Sequence, residues 1–210
     1  MELQQRHIDA LDKAETLMFH HDFCPYLELK QLLPNTAPEA RNRFRSLFTN
    51  YYGLNVGGLT DAFKDRFFEI LFGVKVITNG QPDISAILNE LSLFPGRRGY
   101  CAMPFSFVSK LAAVHQETRP LYDRHILNFF GMKAPAASVA KAKRISWFLD
   151  FLNTVAGDCG VWAQNERIIP IIDRLKARDQ QLAQCHAIRL VDFLVWKVGN
   201  QKLLQTHESN

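Results

Sequence analysis

The sequence predicts an all-α fold built as a compact multi-helix domain, and three observations carry that expectation. Apolar residues recur at three- and four-residue spacing through most of the 210 residues. Pro, Gly and Asp stand at helix-length intervals between those stretches, where helices start and stop. A strand candidate occurs once, at Val74 to Thr78, and nothing obvious pairs with it.

Each element has its own signature. Ile8, Leu11 and Ala14, with Met18 following, share one face of a first helix. Tyr26 to Leu33 is a short second segment stopped by Pro34. A third begins near Pro38, carries Phe44, Leu47, Phe48 and Tyr51, and ends at Gly53 in the C′ position. Thr60-Asp61 opens a fourth, with Phe63, Phe67, Ile70 and Leu71 as its buried face and Gly73 as its close. Pro82-Asp83 opens a fifth through Ile84, Ile87, Leu88 and Leu91. Phe94 to Met103 combines two Gly, two Arg and a Pro and reads as an irregular loop. Helices over Pro104 to His115 and Tyr122 to Phe130 follow. Ser138 is the expected N-cap of a long helix through Trp147, Phe148, Phe151 and Leu152, broken at Gly157-Asp158-Cys159-Gly160. Ile168, Ile171, Ile172 and Leu175 mark a helix that tolerates Pro170 near its start or with a kink. Ala183 to Leu204, with Ile188, Val191, Leu194, Val195 and Val198 as its face, completes the chain. One all-helical domain over 1–210 is expected, and Ala134-Pro135-Ala136-Ala137 allows two lobes with a hinge near 132–138.

Composition narrows the class. Hydrophobic content of 47% and charged content of 22% are ordinary for a soluble globular chain and argue against disorder. Sixteen Phe and three Trp imply an aromatic-rich core or pocket. No apolar run is long enough to span a bilayer, and the first residues lack the basic and apolar blocks of a signal peptide. Cys24, Cys101, Cys159 and Cys185 form no CxxC pair, so reduced thiols in a cytoplasmic protein are expected. Net charge of +4 permits a polyanionic partner without demanding one. Arg41, Arg43 and Arg45 share one segment, Lys141, Lys143 and Arg144 open a helix, and each cluster also reads as a solvated helix face. Arg97 and Arg98, between Gly96 and Gly99, are the best candidates for phosphate contact, because loop N–H groups there can assist.

Several chemistries are excluded or weak. Asn55-Val56-Gly57-Gly58 lacks the spacing, the preceding strand and the lysine of a nucleotide-binding loop. His20, His21, Cys24, Cys185 and His186 do not reach the four tightly paired ligands of structural zinc, and no metal or other cofactor is expected. No GxSxG elbow or family-type cysteine context is present.

What remains is a lysine and an aspartate on consecutive helices. On the helix after Pro104, Leu111, Val114 and His115 fall on the side of Phe107, and Lys110 lies at the edge of that stripe. Glu117-Thr118-Arg119-Pro120 ends the helix, and Asp123 opens the next. Taken singly, Asp123 is an ordinary N-cap and Lys110 an ordinary side chain laid along apolar neighbours; together they are also the parts of an ion pair.

Phe105-Ser106-Phe107-Val108-Ser109-Lys110-Leu111 followed by Arg119-Pro120-Leu121-Tyr122-Asp123-Arg124-His125-Ile126 resembles the catalytic segment of the helix–hairpin–helix DNA glycosylase superfamily. The likeness is greatest to its bacterial 8-oxoguanine-glycosylase-like group. Tyr51-Tyr52-Gly53-Leu54, Leu59-Thr60-Asp61 and the Leu190 to Gly199 stretch with Asp192 and Trp196 are compatible with that group. The family's Leu-Pro-Gly-aliphatic-Gly hairpin is absent before Lys110, the connection from Lys110 to Asp123 is shorter, and the four-cysteine iron–sulfur signature is missing. The resemblance implies a glycosylase-like two-lobed helical bundle and a base-excision repair activity on duplex DNA with a damaged or modified base. It implies Lys110 as Schiff-base nucleophile with lyase potential and Asp123 as charge stabiliser. Phe105, Phe107, Tyr122 and Trp147 are the implied lining of the base pocket, and Arg97, Arg98, Ser109 and His125 the implied DNA contacts. Two other classes stay open: a nucleic-acid-binding or defence-associated helical protein that no longer cleaves, and a helical protein-interaction module with Lys110 and Asp123 as a structural pair. Oligomeric state is not specified by the sequence.

Overall fold

The computed structural model describes residues 1–55, 58–73, 82–95 and 103–204. Among them all regular structure is helical: α1 (Gln5–Thr16), α2 (His20–Leu32), α3 (Pro38–Tyr51), α4 (Asp61–Gly73), α5 (Ile84–Leu91), α6 (Phe105–His115), α7 (Arg124–Phe129), α8 (Lys141–Trp162), α9 (Ile169–Arg178), α10 (Gln180–Ala183) and α11 (Ala187–Gln201). The strand candidate at Val74 to Thr78 lies outside the described residues, as do Arg97, Arg98 and Cys101. Among the described residues no helix is long and apolar enough to cross a membrane. The chain forms two compact units, Met1–Phe23 with Glu117–Asn210, and Cys24–Gln116. Residues 132–138, where a hinge is allowed for, lie inside the first unit.

The first unit is organised around α11. Its stretch from Arg189 to Val195 is buried at every position, and Lys197, Val198 and Gly199 continue the burial. An apolar helix with no wet face has to be enclosed by others, and α7, α1, α8 and α9 pack against it. At Gly199 the fit leaves no room for a side chain, since a Cβ there would lie 2.1 Å from the His125 carbonyl oxygen. Glu15 on α1, almost fully buried, pairs with Arg174, whose Nε donates to it at 3.0 Å, and with Arg178; both arginines belong to α9. Lys197 reaches Asp22 at 2.8 Å. Trp162, at the end of α8, stacks on Phe130 at 5.6 Å between ring centres and lies beside Phe129 and His7.

Several boundaries differ from the sequence expectation. The last helix is two: His186 is extended, and its ring accepts the Ile188 N–H at 3.2 Å, so a new helix is capped there instead of continuing from α10. Helix α8 starts after Ala140, because a turn closed by Val139 N–H on the Ala136 carbonyl occupies the Ser138 region. It then runs straight through Gly157 and Gly160. Two helical glycines cost about 1 kcal/mol each against alanine, and the buried face of Val155, Cys159 and Trp162 offsets that. Helix α2 starts at His20 and carries Pro25 inside it. The Asp22 carboxylate accepts the Phe19 N–H at 2.8 Å and so fixes the first turn ahead of the proline. Pro170 sits in the first turn of α9, as expected.

The second unit is built on phenylalanine. Phe44, Phe48, Phe67, Phe68 and Phe72 form a connected set with ring centres 5.3–5.8 Å apart. Edge-to-face and stacked pairs of this kind add to the area buried. Arg41 and Arg45 lie over Phe72 and Phe68 at 5.1 and 5.0 Å, flanking this cluster with their guanidiniums. Asp83 caps α5 by accepting the Ala86 N–H at 2.9 Å, and α5 packs against α4 and α6 through Ile84, Ile87, Leu88 and Leu91. Gly53 follows α3 at φ +70°, a left-handed turn where glycine is favoured.

These contacts predict opposite effects for two glycines. Gly199→Ala is expected to cost about 3 kcal/mol or more, because backbone and not a flexible tip stands in the way. Gly160→Ala meets only the Ile188 methyl at 3.6 Å and is expected to stabilise by up to about 1 kcal/mol. Urea unfolding of both variants by circular dichroism measures the contrast.

Candidate functional site

Lys110 belongs to the second unit. It lies in the last two turns of α6, half-buried, with Phe105, Val108, Ser109, Leu111, Ala112, Ala113 and Val114 buried around the helix. Its Nζ donates to the Ser106 hydroxyl at 2.9 Å, one turn back, and to the Tyr52 carbonyl at 3.4 Å. The Tyr52 and Phe107 rings face the same Nζ at 5.4 and 5.5 Å. Two oxygens and two aromatic faces are thus among the contacts of the amine. On the same helix, His115 donates from Nε2 to the Leu71 carbonyl at 2.9 Å. Burial lowers its pKa, partly opposed by that hydrogen bond.

Asp123 belongs to the first unit and is the N-cap of α7. Its Oδ1 accepts both the His125 N–H at 2.8 Å and the Ile126 N–H at 3.0 Å. Among the described residues Oδ2 accepts no hydrogen bond, so one oxygen caps and the other is uncommitted. The segment leading to Asp123 is anchored from α11. Arg189 and Asp192 are fully buried, with Nη1 of the arginine 2.5 Å from Oδ2 of the aspartate. The Arg189 Nη2 also donates to the Arg119 carbonyl, and Asp192 Oδ1 accepts the Leu121 N–H at 3.3 Å. One ion pair thus grips the backbone on both sides of Pro120, two residues ahead of Tyr122-Asp123. Burial pushes the Asp192 carboxyl up to about 6, against the opposing pull of Arg189 and the Leu121 N–H.

The aromatic candidates divide. Tyr122 is half-buried and meets Trp147, Phe148 and Phe151 edge-on at 5.2–6.1 Å. Burial raises the pKa of its hydroxyl, and the charge of Arg144 partly opposes this. Trp147 stacks on Phe151 at 5.7 Å, with part of its own surface exposed. Phe107 is likewise half-exposed beside Lys110. Phe105, in contrast, is buried at 5% exposure and is a packing residue. Ser109 is fully buried, its hydroxyl donating to the Ser106 carbonyl at 3.0 Å, which places it among core residues instead of on a DNA-facing surface. His125 is half-buried against Trp196 at 5.8 Å, with Arg124 donating to its ring. Arg97 and Arg98 are outside the described residues. Two concavities of about 460 and 570 Å³ run along α3 and α4, and neither is lined by any of these candidates.

Ser106, Tyr52, Arg189 and Gly199 are absent from the sequence-derived site. Ser106 is visible in principle, one helical turn before Lys110. Arg189 and Asp192 stand out as charges in an apolar run. A backbone acceptor such as the Tyr52 carbonyl leaves no trace in residue type. Among the described residues no group of three or more His, Cys, Asp and Glu side chains is arranged to hold a metal ion, and Cys24, Cys159 and Cys185 are not in disulfides. No family model, curated protein or solved structure matches the chain.

The buried pair has a pH signature. The folded state holds the Asp192 proton more tightly than the unfolded chain, whose value is near 3.8. This group therefore favours folding most at acidic pH, and that contribution, about 3 kcal/mol, is lost as pH rises from about 4 to about 6. Comparing urea midpoints of wild type and Asp192→Asn at about pH 4 and about pH 7 should show the wild-type advantage shrinking with rising pH. Arg189→Met leaves the carboxylate buried alone and is expected to cost about 3–5 kcal/mol near neutral pH.

Proposed function

We propose that the chain is a DNA N-glycosylase-like enzyme that excises a damaged or modified base, with Lys110 as nucleophile and Asp123 as charge stabiliser. The observation that carries this reading is the setting of the Lys110 amine, held between the Ser106 hydroxyl, the Tyr52 carbonyl and two aromatic faces. The motif resemblance around Lys110 and Asp123 supports it, and so does the uncommitted Oδ2 of Asp123.

A base has to leave the duplex stack before an enzyme can reach its sugar. The Nζ lone pair of Lys110 then bonds to the anomeric carbon as the glycosidic C–N bond breaks. The electron pair leaves with the base, which takes a proton from solvent. Nζ loses a proton, the sugar ring opens with protonation of its oxygen, and a protonated Schiff base results. Asp123 offsets the positive charge that grows on the sugar. Its Oδ1 cap fixes the carboxylate's position. The resemblance assigns the stacking of an extruded base to Tyr122, Trp147 and Phe107. From the Schiff base, β-elimination would cleave the strand and give lyase activity.

Borohydride trapping on abasic and 8-oxoguanine duplexes is the test. Wild type is expected to yield a covalent protein–DNA adduct and folded Lys110→Gln none. Asp123→Asn keeps the cap, so stability should change by less than about 0.5 kcal/mol, while the trapping rate falls about 100-fold. An Asp123 that is only a cap predicts an unchanged rate. Absence of any adduct with intact protein overturns the reading; DNA binding that then weakens steeply with salt identifies a non-cleaving nucleic-acid binder.

A further inference from the structure

We infer that the groove between α3 and α4 is a track for the backbone of a nucleic-acid strand, with the Arg41 guanidinium as its principal phosphate ligand. The inference takes its ligand, DNA, from the proposed function, and it assigns backbone contacts to residues outside the motif around Lys110.

The three arginines that the sequence groups on α3 are separated by the fold. Arg43 lies about 200° round the helix from Arg41 and is paired with Glu28 on α2. Arg41 and Arg45, one turn apart, lie over Phe72 and Phe68 and line the concavity of about 570 Å³. A ring face attracts a guanidinium but offers it no oxygen acceptor. The carboxylates along the groove each have a cation already. Glu69 pairs with Arg66 at 2.7 Å, Asp61 with Lys64 at 3.3 Å and Asp65 with Arg45 at 3.4 Å. Arg41 is the cation left over. It is half-buried, its Nε is shielded from solvent with no hydrogen-bond partner, and among the described residues no carboxylate pairs with it. A guanidinium nitrogen taken out of water without an acceptor is a group that a bound anion satisfies.

Shape selects a strand over a free phosphate. Arg45 also lines the second concavity, of about 460 Å³, so the two adjoin along α3. From Pro38 to Asn50 the groove follows about 18 Å of helix, a length over which one strand carries several phosphates. Past Arg45 the lining offers Ser46, Asn50 and Lys64, donor types that hold phosphate oxygens without reading bases.

Fluorescence anisotropy on an abasic duplex tests this with a charge-matched control. Arg41→Gln is expected to weaken binding about tenfold at about 0.1 M salt and to lower the salt slope by about one. Arg43→Gln removes the same charge from the same helix and should bind within about twofold of wild type. Asn42→Asp puts a carboxylate at an exposed position of the groove and should weaken binding at least as much as Arg41→Gln, which reads the site even where Arg41→Gln does not fold. Wild-type binding by folded Arg41→Gln or Asn42→Asp overturns the inference, as does equal weakening by Arg41→Gln and Arg43→Gln. Displacement of the duplex by inorganic phosphate at constant ionic strength marks a free-phosphate site and also overturns it. Binding with the expected Arg41 dependence but no borohydride adduct upholds the inference and overturns the proposed enzyme. An adduct formed by wild type while Arg41→Gln binds unchanged overturns the inference alone, and a wild type that does not bind the duplex overturns both.

Discussion

The first unit depends on the burial of α11, and the consequences follow from what that helix carries into the interior. A largely buried apolar helix supplies hydrophobic stabilisation along most of its length, but Arg189 and Asp192 come with it. Buried charges of this kind add little net stability, since desolvation consumes most of their attraction. Their use is geometric. Beyond the pair itself, Nη2 of the arginine donates to the Arg119 carbonyl and the second oxygen of the aspartate accepts the Leu121 N–H. At the other end of the helix, Gly199 admits the His125 carbonyl to near-contact. The segment containing Asp123 is therefore held from both ends by one rigid helix. A carboxylate whose Oδ1 is the α7 cap cannot wander, and Oδ2 is presented in a reproducible place.

The second unit holds the Lys110 amine beside an aromatic core. Its core is a run of phenylalanines along α3 and α4, and Phe107 continues the aromatic surface through its contact with Phe63 at 6.2 Å. Lys110 lies at the edge of that surface, its stem on apolar neighbours and its head on Ser106 and Tyr52. Aromatic rings attract a cation through their faces but give it no proton acceptor.

Much of this was legible in the chain. Asp83, Thr60, Pro38 and Pro170 mark helix starts by local chemistry, each through a cap or a first-turn position that tertiary contacts do not alter. The apolar faces of α1, α4, α5 and α9 were readable for the same reason, because periodicity records which side faces a core. The misreadings have a common cause. Gly157 and Gly160 look like a break only until α8 is packed; the boundary at His186 depends on its ring turning back to an N–H; and the early start of α2 depends on Asp22 reaching Phe19. Each is a choice between two locally acceptable conformations, decided by contacts that residue type does not encode.

The site shows the same division. Residue type and spacing were enough to place Lys110 at the edge of an apolar stripe and Asp123 at a helix start, because both are local features. Tertiary structure alone decided that Ser109 and Phe105 are core, that Ser106 and the Tyr52 carbonyl are the acceptors of the amine, and that Arg189 and Asp192 hold the aspartate's segment. The physical reason is reach. Helix propensity, capping and amphipathic period act over a few residues, whereas burial and hydrogen bonding join positions as distant as Tyr52 and Lys110 or Arg119 and Arg189, which only the folded chain brings together.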